Sequence, residues 1–163
     1  MLQLALACGG QERSEPSSSS PTGTSPIGTS PSKVPGLTAN IEGQPLVFDE
    51  SVRTDALRPP AVEVYAHLAS TERSLRVFIL PSAAQTKLTP GPYECDGKGT
   101  HVWYWGTTSW DTTETGGACR IELEDAGTEP GQVLSGRFEA TVVKSQSTES
   151  LVLEDGTFYG VIE

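Results

Sequence analysis

Basic residues, cysteine and histidine are all scarce in this chain, and each shortage excludes something. Eleven Lys and Arg stand against 21 Asp and Glu, for a formal net charge of −10. Nucleic acid is excluded as a partner, because phosphate neutralisation needs clustered Lys and Arg. Electrostatic adhesion to anionic lipid is excluded on the same ground. No apolar run approaches the roughly 20 residues that a membrane-spanning helix requires. The common catalytic signatures are missing too: there is no GxSxG, HExxH, P-loop or GxGxxG. The only histidines are His67 and His101. A Ser-His-Asp hydrolase or a two-carboxylate glycosidase would have to be assembled from distant residues, with no local signature to announce it.

The three cysteines are Cys8, Cys95 and Cys119. The short apolar stretch Leu2-Gln3-Leu4-Ala5-Leu6-Ala7 precedes Cys8, and Gly9-Gly10 follows it. That order resembles the end of a bacterial lipoprotein signal peptide, in which the Cys after a small residue is acylated and becomes the mature N-terminus. Residues 1–8 are therefore expected to be the remnant of a signal, with palmitate-type lipidation at Cys8. No Lys or Arg precedes Cys8, so the basic n-region of the signal is expected upstream. Gly9, Gly10 and Gln11 include no Asp, which points to the outer membrane or cell surface of the envelope.

With Cys8 lipidated, Cys95 and Cys119 remain as an even pair in an exported domain, which reads as a disulfide. Closing that loop is worth roughly 3 kcal/mol in the chain-entropy model. Two thiols without CxxC spacing do not make a zinc site.

From Gly9 to Gly36, 21 of 28 residues are Ser, Thr, Pro or Gly, and Thr24-Ser25-Pro26 recurs as Thr29-Ser30-Pro31. Such a segment has almost no apolar surface with which to offset ordering entropy. Residues 9–36 are thus expected to be a disordered tether, on the order of 30 Å long as a coil. Its charges, Glu12, Arg13, Glu15 and Lys33, cancel. The acidity belongs to residues 37–163, a length sufficient for one domain with its own core.

That domain reads as strands. Val62, Val64, Ala66 and Leu68 alternate with Glu63, Tyr65 and His67. Leu75, Val77 and Ile79 alternate with Arg76 and Phe78; Cys119, Ile121 and Leu123 with Arg120 and Glu122. Leu134, Phe138, Ala140 and Val142 share one side of another. Period two is the mark of half-buried strands. Asp155-Gly156, between Leu151-Leu153 and Phe158-Ile162, predicts a hairpin. No segment sustains a helical period, and Ala83–Leu88 offers one turn at most. The expected fold is all-β: an antiparallel sandwich of immunoglobulin-like or jelly-roll type, or a barrel.

Four stretches carry a family likeness. They are the opening strand Ala39-Asn40-Ile41-Glu42-Gly43-Gln44-Pro45, the step Gly91-Pro92-Tyr93, the run Ser135-Gly136-Arg137-Phe138-Glu139-Ala140, and Glu154-Asp155-Gly156-Thr157-Phe158. With the tether, they resemble a group of bacterial lipoproteins that carry a single all-β domain and have no agreed activity. The resemblance implies fold and envelope location, and no site.

Two features carry chemistry. Carboxylates gather at Glu94/Asp96, at Glu122-Leu123-Glu124-Asp125 and at Glu154-Asp155. No cofactor is expected from them; calcium is the one alternative, since hard oxygen ligands suit it, and charged strand ends and turns explain the same residues. The aromatic run is more telling. His101, Trp103 and Trp105 share one side of a strand opposite Val102 and Tyr104, and Trp110 follows in the next loop. If outward, the indoles form a flat stacking platform. If inward, they pack in the core near the disulfide, as Trp does in immunoglobulin domains. The expected function is a lipid-anchored, non-enzymatic module of the cell envelope that binds an envelope protein or glycan or helps build the envelope. The alternatives are a carbohydrate-binding module working through Trp103, Trp105, Trp110 and His101, a hydrolase, and an enzyme inhibitor.

Overall fold

The structure is a computed structural model that describes residues 34–57, 60–97 and 99–163. Cys8 and residues 9–33 of the expected tether lie outside the described residues. Ten strands follow one another: β1 (Gly36–Ile41), β2 (Gln44–Ala56), β3 (Val62–Leu68), β4 (Ser74–Ile79), β5 (Gly91–Glu94), β6 (His101–Trp105), β7 (Ser109–Asp111), β8 (Ala118–Ala126), β9 (Val133–Lys144) and β10 (Ser150–Val161). No helix occurs among the described residues. The turn near Ala83 is a β-turn closed by the Gln85 N–H on the Ser82 carbonyl at 2.8 Å.

Every pairing is antiparallel, and the sheet closes on itself. The strand order runs β10-β1-β2-β3-β4-β6-β7-β9, and β10 pairs β9 as well as β1. The result is a barrel, not a two-sheet sandwich. Closure satisfies backbone groups that two sandwich edges would have left unpaired. One edge of β9 is shared: Leu134 to Thr141 pair β8, while Val143 and Lys144 pair β7. β8 in turn carries β5.

Two local expectations are corrected. Residues 39–45 are not one strand: Glu42 and Gly43 both take positive φ (53° and 76°) and reverse the chain between β1 and β2. Consecutive left-handed residues make the turn whose twist suits a tight hairpin. Conversely, Asp155-Gly156 does not reverse the chain. Residues on both sides of it continue along the same partner, with Leu153 opposite Ala140 and Gly156 opposite Phe138. Asp155, at φ 50°, is the extra residue of a β-bulge inside β10. The dipeptide permits left-handed backbone, and pairing to both neighbouring strands, β1 and β9, resumes on either side of it.

Alternation fills the interior. Leu37, Phe48, Val64, Leu75, Val102, Ile121, Leu134, Leu153 and Phe158 are at most 1% exposed and belong to one cluster. Gly160 packs so tightly on Thr54 that a Cβ there would lie far inside contact distance of its hydroxyl. Cys95 and Cys119 form the expected disulfide, with Cα atoms 5.0 Å apart, where β5 leaves β8. Buried Thr112 joins this corner to β6: its Oγ1 accepts the Val102 N–H at 3.0 Å and lies 3.2 Å from Cys95 Sγ.

Candidate functional site

The pleat that buries Val102 and Tyr104 turns His101, Trp103 and Trp105 outward on β6. Antiparallel register then sets their neighbours. His101 lies opposite Phe78, Trp103 opposite Arg76 and Trp105 opposite Ser74 on β4. On β3, Glu63, Tyr65 and His67 lie opposite Phe78, Arg76 and Ser74. The outer face of three adjacent strands thus holds both histidines, Trp103, Trp105, Phe78 and Tyr65.

The rings are organised in pairs. Phe78 and His101 stack with centroids 4.8 Å apart at 23°. Trp103 and Trp105 stack at 5.8 Å and 26°. Tyr65 and His67 meet edge to face at 4.9 Å, with Tyr65 Oη and His67 Nε2 hydrogen-bonded at 3.0 Å. The indoles are near-parallel but too close to lie edge to edge in one plane, so they form an offset stack instead of the flat platform expected of an outward pair. Ser74, between His67 and Trp105 in register, is only 2% exposed.

Hydrogen bonding distinguishes fixed rings from available ones. Trp103 Nε1–H donates to Ser109 Oγ at 2.8 Å. Among the described residues Trp105 has no such partner, and it is the most open of the rings at 39% exposed. His101 Nδ1 contacts the Gly99 carbonyl at 2.8 Å. A carbonyl only accepts, so Nδ1 carries the proton and Nε2 is left as an acceptor in the neutral ring. Arg76 sits amid these rings, its Nε donating to Glu63 Oε2 at 2.6 Å while Nη2 pairs with the same oxygen.

Trp110 is not part of this face. It pairs in register with inward-facing Tyr104 and packs against the core, on β7 and not in a loop. The three indoles therefore divide, two on the outer face and one half-buried against the core. Tyr104 is itself 6% exposed, and burial raises its phenol above the ordinary 10.0; nearby Arg73 opposes the rise and Glu42 adds to it.

The opposite side of the barrel differs. An open groove of about 780 Å³ crosses β8, β9 and β10, walled by Arg120, Glu122, Glu124, Arg137, Glu139 and Asp155. Arg137 Nε donates to Glu124 Oε1 at 2.9 Å. Its single ring, Phe138, is 2% exposed. Two of the expected carboxylate clusters border this groove. Among the described residues, no three His, Cys, Asp or Glu side chains are grouped to hold a metal ion. Nor does either histidine hydrogen-bond a Ser or Asp.

Phe78, Tyr65, His67, Arg76 and Glu63 complete the aromatic face but were not among the residues singled out on β6. Their signal was present, because each opposes the apolar side of its own strand. What was missing was the β3-β4-β6 pairing order. No protein-family model, curated protein or solved structure matches the chain. The likeness to envelope lipoproteins rests on the sequence alone.

Proposed function

We propose that this chain is a non-enzymatic binding module of the bacterial cell envelope, lipid-anchored through Cys8, that engages a glycan with the outer face of β3, β4 and β6. The observation that carries this reading is the stacked pair Trp103–Trp105 on the outside of the barrel, one ring fixed and the other exposed. An indole offers a large contact area for little conformational entropy, and Trp is enriched among binding hot spots for that reason. A sugar ring presents a CH face that packs on such a surface and hydroxyls that reach flanking polar groups. The rim here supplies His101 Nε2, the Tyr65–His67 pair and Arg76. A binding role is supported over a Ser-His-Asp hydrolase because, among the described residues, His67 is hydrogen-bonded to Tyr65 and His101 to the Gly99 carbonyl, and neither to a Ser or Asp.

The test is retention of the full chain on insoluble and arrayed polysaccharides, with Trp105→Ala beside it. Binding to a defined glycan, lost in Trp105→Ala, supports the reading. Equal retention of both proteins, or retention of neither, contradicts it. The anchor is tested separately: Cys8→Ser is expected to move the protein from the membrane fraction to the soluble fraction and to abolish incorporation of labelled palmitate.

A further inference from the structure

The aromatic face contains one feature that stacking does not require. Arg76 stands in the middle of it, opposite Trp103 on one side and Tyr65 on the other. Its Nε and Nη2 both engage the single oxygen Glu63 Oε2. A guanidinium held from one edge keeps the N–H groups of its other edge pointing elsewhere. The exposures are unequal: the Arg76 side chain is 36% exposed and that of Glu63 only 14%. Glu63, beside it on β3, is therefore the more buried partner, orienting and neutralising, while Arg76 is the more open to solvent.

The surrounding charge restricts what this arginine meets. Across β2, β3, β4, β6 and β7 the outward charges are Arg53 and Arg76 against Asp49, Glu50, Asp55, Glu63 and Asp111, set out by the burial along β2 and by the register of β2 on β3, β3 on β4, β4 on β6 and β6 on β7. The local balance is negative, as is that of the whole chain at −10. A carboxylate or sulfate ligand would be repelled on approach and would compete with Glu63 for the guanidinium. A neutral hydroxyl or ring oxygen meets neither cost and accepts a charge-assisted hydrogen bond.

We infer that Arg76 is the polar contact of the aromatic face, that Glu63 is its positioning residue, and that the ligand is an uncharged oligosaccharide. This rests on the glycan reading above and narrows it to a class. The hydroxyls of a neutral sugar stacked on Trp105 accept from the free edge of Arg76, which anchors the sugar in register along the face.

The experiment is calorimetric titration of the full chain with neutral cello-, xylo- and chito-oligosaccharides and with oligogalacturonate as the anionic probe. Wild type, Arg76→Gln, Glu63→Gln and Trp105→Ala are compared, with Arg120→Gln in the far groove as the control. The expected result is binding of a neutral oligomer and not of the uronate. Arg76→Gln weakens the neutral ligand about tenfold or more, as expected for one hydrogen bond from a charged donor. Glu63→Gln releases the guanidinium charge and lets the uronate bind, a gain that a merely structural role of the ion pair does not produce. Arg120→Gln changes nothing. The inference is overturned if the uronate binds wild type as tightly as the neutral oligomer. It is also overturned if Trp105→Ala abolishes binding while Arg76→Gln retains full affinity, an outcome that leaves the glycan reading standing. If wild type binds none of the probes, the glycan reading fails and this inference with it.

Discussion

The indole N–H of Trp103 is bound to Ser109 Oγ at 2.8 Å, whereas that of the stacked Trp105 has no partner among the described residues. The two rings are thus chemically alike and structurally unequal. Trp103 belongs to the wall that joins β6 to β7, and Trp105 lies upon it.

Substitution should separate the two roles. Trp103→Ala removes a half-buried ring and strands the Ser109 hydroxyl, and is expected to cost about 1–3 kcal/mol of stability. Trp105→Ala is expected to cost under about 1 kcal/mol, as for an exposed position. Urea unfolding of both variants checks this, read as the shift in midpoint at unchanged slope.

Removing the Cys95–Cys119 disulfide should be felt across the corner where β5, β6 and β8 meet. Cys95→Ser/Cys119→Ser is expected to lose about 2–4 kcal/mol by relaxing the denatured chain. Part of that loss falls on Thr112, which touches both Cys95 and Val102. Thermal melts with and without reductant test it: reductant should lower the wild-type midpoint and leave the double variant unmoved.

Gly160 is held to its identity by proximity to Thr54. Gly160→Ala must push β10 away from β2 and is expected to destabilise by more than about 2 kcal/mol. Pairing it with Thr54→Ala, which removes the hydroxyl but leaves a Cβ 2.8 Å away, should restore part of the loss, measured as the coupling energy of a double-mutant cycle.

Tyr104 gives the barrel an alkaline limit. Burial raises its folded-state pKa above the ordinary 10.0. Between those two values the unfolded chain has released a proton that the native state still holds. Stability contributed by this group is full below pH 10.0 and declines as pH rises towards the folded value. The maximum slope for one proton is about 1.4 kcal/mol per pH unit. Tyr104→Phe should flatten that decline, as seen in denaturation midpoints collected from pH 8 to 11.

These expectations depend on knowing which side of each strand faces inward, and alternation alone settled that for much of the chain. Val62 to Leu68 and His101 to Trp105 declare their faces by period two, so the outward position of Trp103 and Trp105 was one of two readings open from the start. What alternation does not encode is order across the sheet. His101 stacks on Phe78 because β6 follows β4 in the barrel with β5 displaced to β8, and nothing local to either strand records that exchange. The same gap placed Trp110 with its sequence neighbours when its pairing with Tyr104 turns it, half-buried, against the core. Turn chemistry misled for a related reason. Glu42-Gly43 and Asp155-Gly156 are alike in sequence and both supply left-handed backbone, but the first lies between the ends of two strands that pair with each other, Ile41 opposite Gln44, and reverses. The second is held by β1 and β9 together and bulges.

The most direct measurement follows the one indole on which the account depends. In a chain carrying Trp103→Phe and Trp110→Phe, Trp105 is the sole tryptophan, and its emission can be read against iodide and a neutral oligosaccharide series. The account predicts a red-shifted emission that iodide quenches and that one oligosaccharide shields in a saturable manner. A blue-shifted emission, protected from iodide and indifferent to every glycan, would place the ring in packing and contradict a binding face on the outside of the barrel.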